Sequence, residues 1–185
     1  MFEIKITGIA KAKQQIGTDW PTHIISVIND AGEDAQGNYF PGTEMDRQHN
    51  NHIVVNFHDV EDEDAAEEYG LVPPSRKVIN EVLEEAASWE LTDADKVLIH
   101  CSAGKSRSVA IALGVMVQAG IKPEEALKKA KLLSPAMLPN RLIVEYVDEY
   151  LGLDGALIQV VRDYYSKSIL IIPGVKLPNR GGFNQ

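Results

Sequence analysis

Cys101 and Arg107 stand six positions apart in the run VLIHCSAGKSRS, between Val97 and Ser108, and together they could break a phosphate monoester. That chemistry needs a nucleophile, several donors for three equatorial oxygens and a proton for the leaving group. Val97, Leu98 and Ile99 read as a short buried strand, and SRSVAIALGVMVQAG, from Ser106 onward, reads as an apolar helix. Residues 101 to 107 are then a strand-to-helix turn. The free N–H groups and positive dipole end of a helix N-terminus favour an anion, and they favour a thiolate equally. Thiols in such places have their pKa lowered from about 8.5 to roughly 3.5–7.5. Cys101 is therefore expected to be ionised at neutral pH.

Ser102, Ala103, Gly104, Lys105 and Ser106 are enough chain to curl round one tetrahedral oxyanion, with Arg107 closing the ring. A guanidinium donates two parallel hydrogen bonds to neighbouring oxygens and keeps its charge throughout. Gly104 lets the backbone turn its amides inward without a Cβ penalty. Ser108 can give its hydroxyl to the sulfur, and His100 orients the loop rather than acting as a base. A lone free cysteine would read as a buried structural thiol. The register of His, Cys, Ala-Gly, Arg and Ser between an apolar strand and an apolar helix favours the phosphate loop instead.

These residues resemble the HCxxGxxR[S/T] loop of the cysteine-dependent protein phosphatases at His100, Cys101, Gly104, Arg107 and Ser108. The resemblance implies a protein-tyrosine or dual-specificity type of phosphatase acting through a phosphocysteine intermediate. Such enzymes need a general acid upstream, because an unassisted alkoxide or phenoxide leaves poorly. The run HIVVNFHDVEDED offers Asp59, Asp62 and Asp64 after a strand over His52 to Phe57. Asp59 is the first choice, being first after the strand, and Phe57-His58-Asp59-Val60 resembles the F-x-D-I stretch of a bacterial dual-specificity-like group. The other two acids remain open, as does a merely solvated acidic face. An acid before a mid-chain cysteine also fits this class rather than the low-molecular-weight phosphatases, whose cysteine lies near the N-terminus.

The elements needed to hold such a loop are present. Phe2 to Ile6 and Thr22 to Ile28 read as strands, Ile9 to Ile16 as a short helix, and Pro73 to Trp89 as an amphipathic helix. Helices are also expected from Pro123, with acids early and lysines late, and from Pro139-Asn140 to Gly152. Alternating strands and helices predict one α/β domain: a central, mostly parallel sheet of four to five strands with helices on both faces. Its phosphate loop would lie at the carboxyl end of the sheet. The resemblance covers residues 1 to 152, the catalytic domain. Residues 153 to 185 are expected as a helix and tail appended to it, the tail being a loose terminus or a partner-binding arm.

A net charge of −9, much of it in EDEDAAEE, argues against nucleic acid or an anionic membrane as partner. The expected partner is a phosphorylated protein or a small phosphomonoester. Lys105 is reminiscent of phosphoinositide phosphatases, but Ser102 and Ser106 depart from that group's loop, so protein phosphotyrosine comes first. Phosphoinositide and RNA 5′-phosphate hydrolysis remain alternatives, as do a non-catalytic phosphate-binding module and a sulfurtransferase. No cofactor is needed, and His49, His52 and His58 lack the spacing of a metal site. Met45, Asp46 and Arg47 fall in a long loop that could frame the pocket. A single cysteine implies a reducing compartment, and the absence of a signal peptide or spanning segment predicts a cytoplasmic enzyme.

Overall fold

The computed structural model describes residues 2–29, 32–33, 39–40 and 51–169. Met45, Asp46, Arg47, His49 and the tail 170–185 lie outside them. In chain order the elements are β1 (Glu3–Gly8), α1 (Ile9–Ile16), β2 (His23–Ile28), β3 (Gly32–Glu33), β4 (Tyr39–Phe40) and β5 (His52–Asn56). They continue with α2 (Glu63–Glu68), α3 (Arg76–Ala87), β6 (Lys96–Cys101), α4 (Arg107–Gln118), α5 (Pro123–Leu133), α6 (Arg141–Leu151) and α7 (Ala156–Ile169).

The long strands form one parallel sheet in the order β1-β6-β2-β5, while β3 and β4 pair antiparallel by themselves. The fold is thus the α/β architecture expected, with four strands in the main sheet. Strand periodicity decides what each face carries. Ile4, Ile6, Ile25, Val27, Val97, Ile99 and Cys101 belong to the large core, which also takes in buried residues of α3 to α7. Ile24 and Leu98 pack on the other side with Ala12 of α1. Lys5, Thr7, Ser26, His52 and His100 share that face, since residues in register across a parallel ladder point the same way.

Arg107 through Met116 of α4 are all buried, the state expected of a helix apolar on every side. Gly114 makes this possible. A Cβ there would lie 3.0 Å from Leu83 of α3 and 3.1 Å from Val147 of α6, so the glycine lets three helices close on one point without displacing those side chains.

Three local features add to the expected elements. The acidic run contains a helix, α2, whose start is helped by the Asp62 carboxylate accepting the Asp64 N–H at 3.0 Å. α3 begins after its two prolines because Ser75 supplies the cap, accepting the Val78 N–H at 3.3 Å. The start of α7 is held to α6: Asp148 accepts the N–H groups of Gly155, Leu157 and Ile158, capping α7 from outside. Among the described residues, no helix is long and apolar enough to cross a membrane.

Candidate active site

β6 ends at Cys101 and α4 begins at Arg107, so the turn between them sits at the carboxyl end of the sheet. Its shape is set by where its carbonyls go. Ser102 O accepts the Ile9 N–H, Gly104 O accepts the Ser134 hydroxyl at 2.9 Å, and Lys105 O accepts the Leu138 N–H at 2.8 Å. With these oxygens tied outward, the amides of the turn are free to face the sulfur side. The Gly104 N–H does so, 3.2 Å from Cys101 Sγ. Gly104 has φ +71°, and a Cβ on it would collide with the backbone of Thr7 and Gly8, so no other residue fits there.

Cys101 is buried, and its Sγ lies 3.2 Å from the Ser108 hydroxyl. Burial pushes the thiol pKa up. The Ser108 hydroxyl and N–H, the Arg107 charge and the Gly104 N–H together outweigh it, and the net shift is downward. Neighbours that prefer the thiolate surround the sulfur.

Arg107 is only 4% exposed, and its guanidinium is fastened along one side. Nη1 donates to Phe57 O at 2.6 Å and to Ile28 O at 3.4 Å, and Nη2 donates to the Ser102 hydroxyl at 3.0 Å. Nε has no hydrogen-bond partner and lies 3.9 Å from Asp59 Oδ2. The fork is therefore held at the ends of β2 and β5, with Nε unbonded beside Asp59. Ser102 passes the restraint on by donating to Asn29 at 3.1 Å.

Of the three upstream acids, Asp59 is the one bonded to the turn. Its Oδ1 accepts the Ser106 hydroxyl at 2.7 Å and Asn140 Nδ2 at 2.9 Å. Asp62 caps the start of α2, and Asp64 is exposed on that helix. Ser106, expected only among the phosphate donors, thus also touches the acid. Asn140 is a residue the sequence reading missed. Its signal was that of a helix cap, which it is, accepting the Ile143 N–H at 3.1 Å, but Nδ2 also holds Asp59 and Val60 O. Arg141 adds a two-pronged pair to Glu61, with both contacts to Oε2 at 2.8 Å. The segment carrying Asp59 is clamped to the start of α6.

Behind the turn, His100 Nε2 lies 2.6 Å from Ser26 Oγ, and Ser26 Oγ lies 2.7 Å from His52 Nε2, with all three residues fully buried. A hydroxyl has one proton, so at most one of the two imidazoles accepts from Ser26 and at least one donates to it. Burial, reinforced by the Lys13 charge, pulls the His100 pKa down to about 4, which leaves the ring neutral. The neutral ring ties the end of β6 to β2 through Ser26. His58 instead accepts the Val72 N–H at 2.9 Å, so His52 and His58 serve different ends. Lys105 and the outer faces of Ser102 and Ala103 are exposed at the rim.

Solved structures share this arrangement of elements. The crystal structure of DUSP15 is 20% identical, with TM-score 0.52, covering 90% of this chain and 93% of that one. The Yvh1 phosphatase domain from Chaetomium thermophilum is 17% identical, with TM-score 0.50, covering 85% and 95%. The chain has the dual-specificity phosphatase fold. No protein-family model matches the sequence. A comparison with curated proteins also gives no match. In this dual-specificity fold the segment from Cys101 to Arg107 occupies the crevice at the strand ends, where open α/β sheets take their ligands.

Proposed function

We propose that this chain hydrolyses phosphomonoesters, with phosphoprotein substrates foremost, through a covalent phosphocysteine. The observation that carries the reading is the placement of Cys101 Sγ, which has Gly104 N–H and Ser108 Oγ each at 3.2 Å and Arg107 as a neighbouring charge. A buried structural thiol has no use for such neighbours.

In the first step the Cys101 thiolate attacks phosphorus, the bond to the leaving oxygen breaks, and Asp59 gives that oxygen its proton. Arg107 Nε and the turn amides of residues 102 to 106 hold the equatorial oxygens as charge builds, and their prior fixation spares reorganisation. In the second step water attacks phosphorus and gives a proton to Asp59. The sulfur departs as a thiolate, received by the Ser108 hydroxyl, and orthophosphate is released. No cofactor takes part. Residues 1–152 form the catalytic unit in this reading, with α7 as an attached brace. A lone reactive thiolate is best kept in a reducing compartment such as the cytoplasm.

Turnover of para-nitrophenyl phosphate is the first test. Wild type is expected to be active and vanadate-sensitive, while Cys101→Ser loses turnover and still binds vanadate or phosphate. A phosphorylated enzyme trapped by acid quench should be absent from that variant. Retained turnover in Cys101→Ser would overturn the reading.

A further inference from the structure

We infer that the cavity on the β1 side of the turn is a docking site for acidic residues flanking the phosphorylated side chain of a protein substrate. The inference rests on the function proposed above and names the substrate feature that the same site selects. The turn has two flanks. Ser106 faces Asp59 and Asn140, whereas Ser102 to Lys105 form one wall of a cavity of about 560 Å³. Its other walls come from β1, α1 and the end of α5. The volume is within the range of ordinary ligand sites, roughly 300–1,000 Å³.

Charge identifies the occupant. The chain carries −9 overall, yet this cavity is lined by Lys5, Lys11 and Lys105 and by no acidic residue. Lys5 is not a free tether: its ammonium sits 3.6 Å from the centroid of the Trp20 ring, which fixes that positive charge in place. Lys11 and Lys105 are exposed and can adjust to a ligand. Three cations in an otherwise acidic molecule make a local field that attracts carboxylates and repels basic flanks.

Position identifies it as peptide. Among the described residues β1 has a strand partner on one side only, β6. The Glu3 and Ile9 N–H groups both point to the β6 side, so the intervening even-numbered residues Ile4, Ile6 and Gly8 turn their backbone groups toward the open edge. Ile6 and Gly8 line the cavity. An extended segment can hydrogen-bond to such an edge while its alternate side chains reach the lysines. A substrate residue in the turn would have its flanking chain delivered to this edge, on the side of the turn away from Asp59.

The test uses two fluorescent phosphotyrosyl peptides of equal length, one with Asp and Glu flanks and one with Asn and Gln flanks. Binding is measured to Cys101→Ser protein, alone and with Lys11→Glu added. Cys101→Ser is expected to prefer the acidic peptide by about tenfold, less at high salt, and Lys11→Glu should remove about fivefold of that preference. The affinity for the amide-flanked peptide should stay within about twofold, which excludes misfolding. Equal binding of the two peptides, or a preference untouched by both Lys11→Glu and Lys5→Gln, would overturn the inference. Para-nitrophenyl phosphate turnover by the Lys11→Glu enzyme, unchanged from wild type, reads the proposed activity separately, because that substrate has no flanks. A protein that shows the binding preference without turnover would sink the proposed hydrolysis and leave the docking site standing.

Discussion

At the scale of residues, the candidate site depends on hydrogen bonds that leave little slack. Asp59 Oδ1 takes two donors, one from the turn and one from Asn140, so the acid is set relative to the sulfur by the same bonds that fold the segment. Asn140→Asp separates the two duties of that residue. The aspartate keeps an oxygen for the Ile143 N–H, so the cap survives, but the donor facing Asp59 becomes a carboxylate. The new carboxylate then faces Asp59 and Val60 O in a buried site, so the hold on Asp59 is lost. Turnover of para-nitrophenyl phosphate is expected to fall by about tenfold in kcat/KM, along with a lower Tm. A lower Tm with kcat/KM unchanged would reduce Asn140 to a helix cap. That Cys101, Arg107 and Ser108 come together was legible because they lie within one short segment whose spacing is itself the geometry. The hold of Asn140 on Asp59 was not, because the two are 81 positions apart and nothing in Pro139-Asn140 distinguishes a cap from a clamp.

At the scale of elements, α6 and α7 do what a β-strand scaffold alone cannot. The start of α6 grips the acid segment through Asn140 and Arg141, and α7 steadies the connection leading into it. Tyr164 donates to Met137 O at 2.9 Å and Tyr165 donates to Pro139 O at 2.7 Å, which places two phenols under the residues just before Asn140. Burial, with help from the Glu61 charge, pushes the Tyr165 pKa well above its usual value, so this hydroxyl stays a donor. α7 itself is anchored by Asp148, only 4% exposed, whose carboxylate accepts three N–H groups at 2.7, 2.8 and 3.3 Å. Asp148→Ala would orphan them. The expected cost is about 3 kcal/mol, or a fall in Tm of ~6–12 °C for a chain of this size. Asp163→Ala, on an exposed turn of the same helix, should change Tm by no more than ~2 °C. Equal shifts in a thermal melt would mean that α7 is not held through its start. The helix was visible in the sequence as GALIQVVRDYY. Its anchoring was not, since Asp148 reads as one more acid on the helix before it.

The molecule as a whole sets a charged turn on a sheet that is apolar on one face and partly polar on the other. The parallel sheet and the burial of α4 follow from patterns the sequence displays: apolar runs of strand length, alternating with helices whose buried stripes recur every three or four residues. The polar patch behind the turn does not follow from them. Ser26, His52 and His100 each interrupt an apolar strand, and only the parallel register brings them onto one face and into one chain of bonds. That patch makes stability depend on pH. His100 titrates at about 4 when folded and near 6.5 when exposed. Between those values the unfolded chain binds a proton that the folded chain refuses, so stability rises with pH across that window. The His100 contribution is complete above about pH 6.5, declines as the pH falls, and is exhausted near pH 4. Comparing urea midpoints at pH 7.5 and 4.5, wild type should lose roughly 2–3 kcal/mol on this account. His100→Asn keeps a polar group against Ser26 but cannot titrate, so it should start less stable and lose that much less on acidification. If both proteins weaken by the same amount between the two pH values, His100 is not buried as a neutral ring.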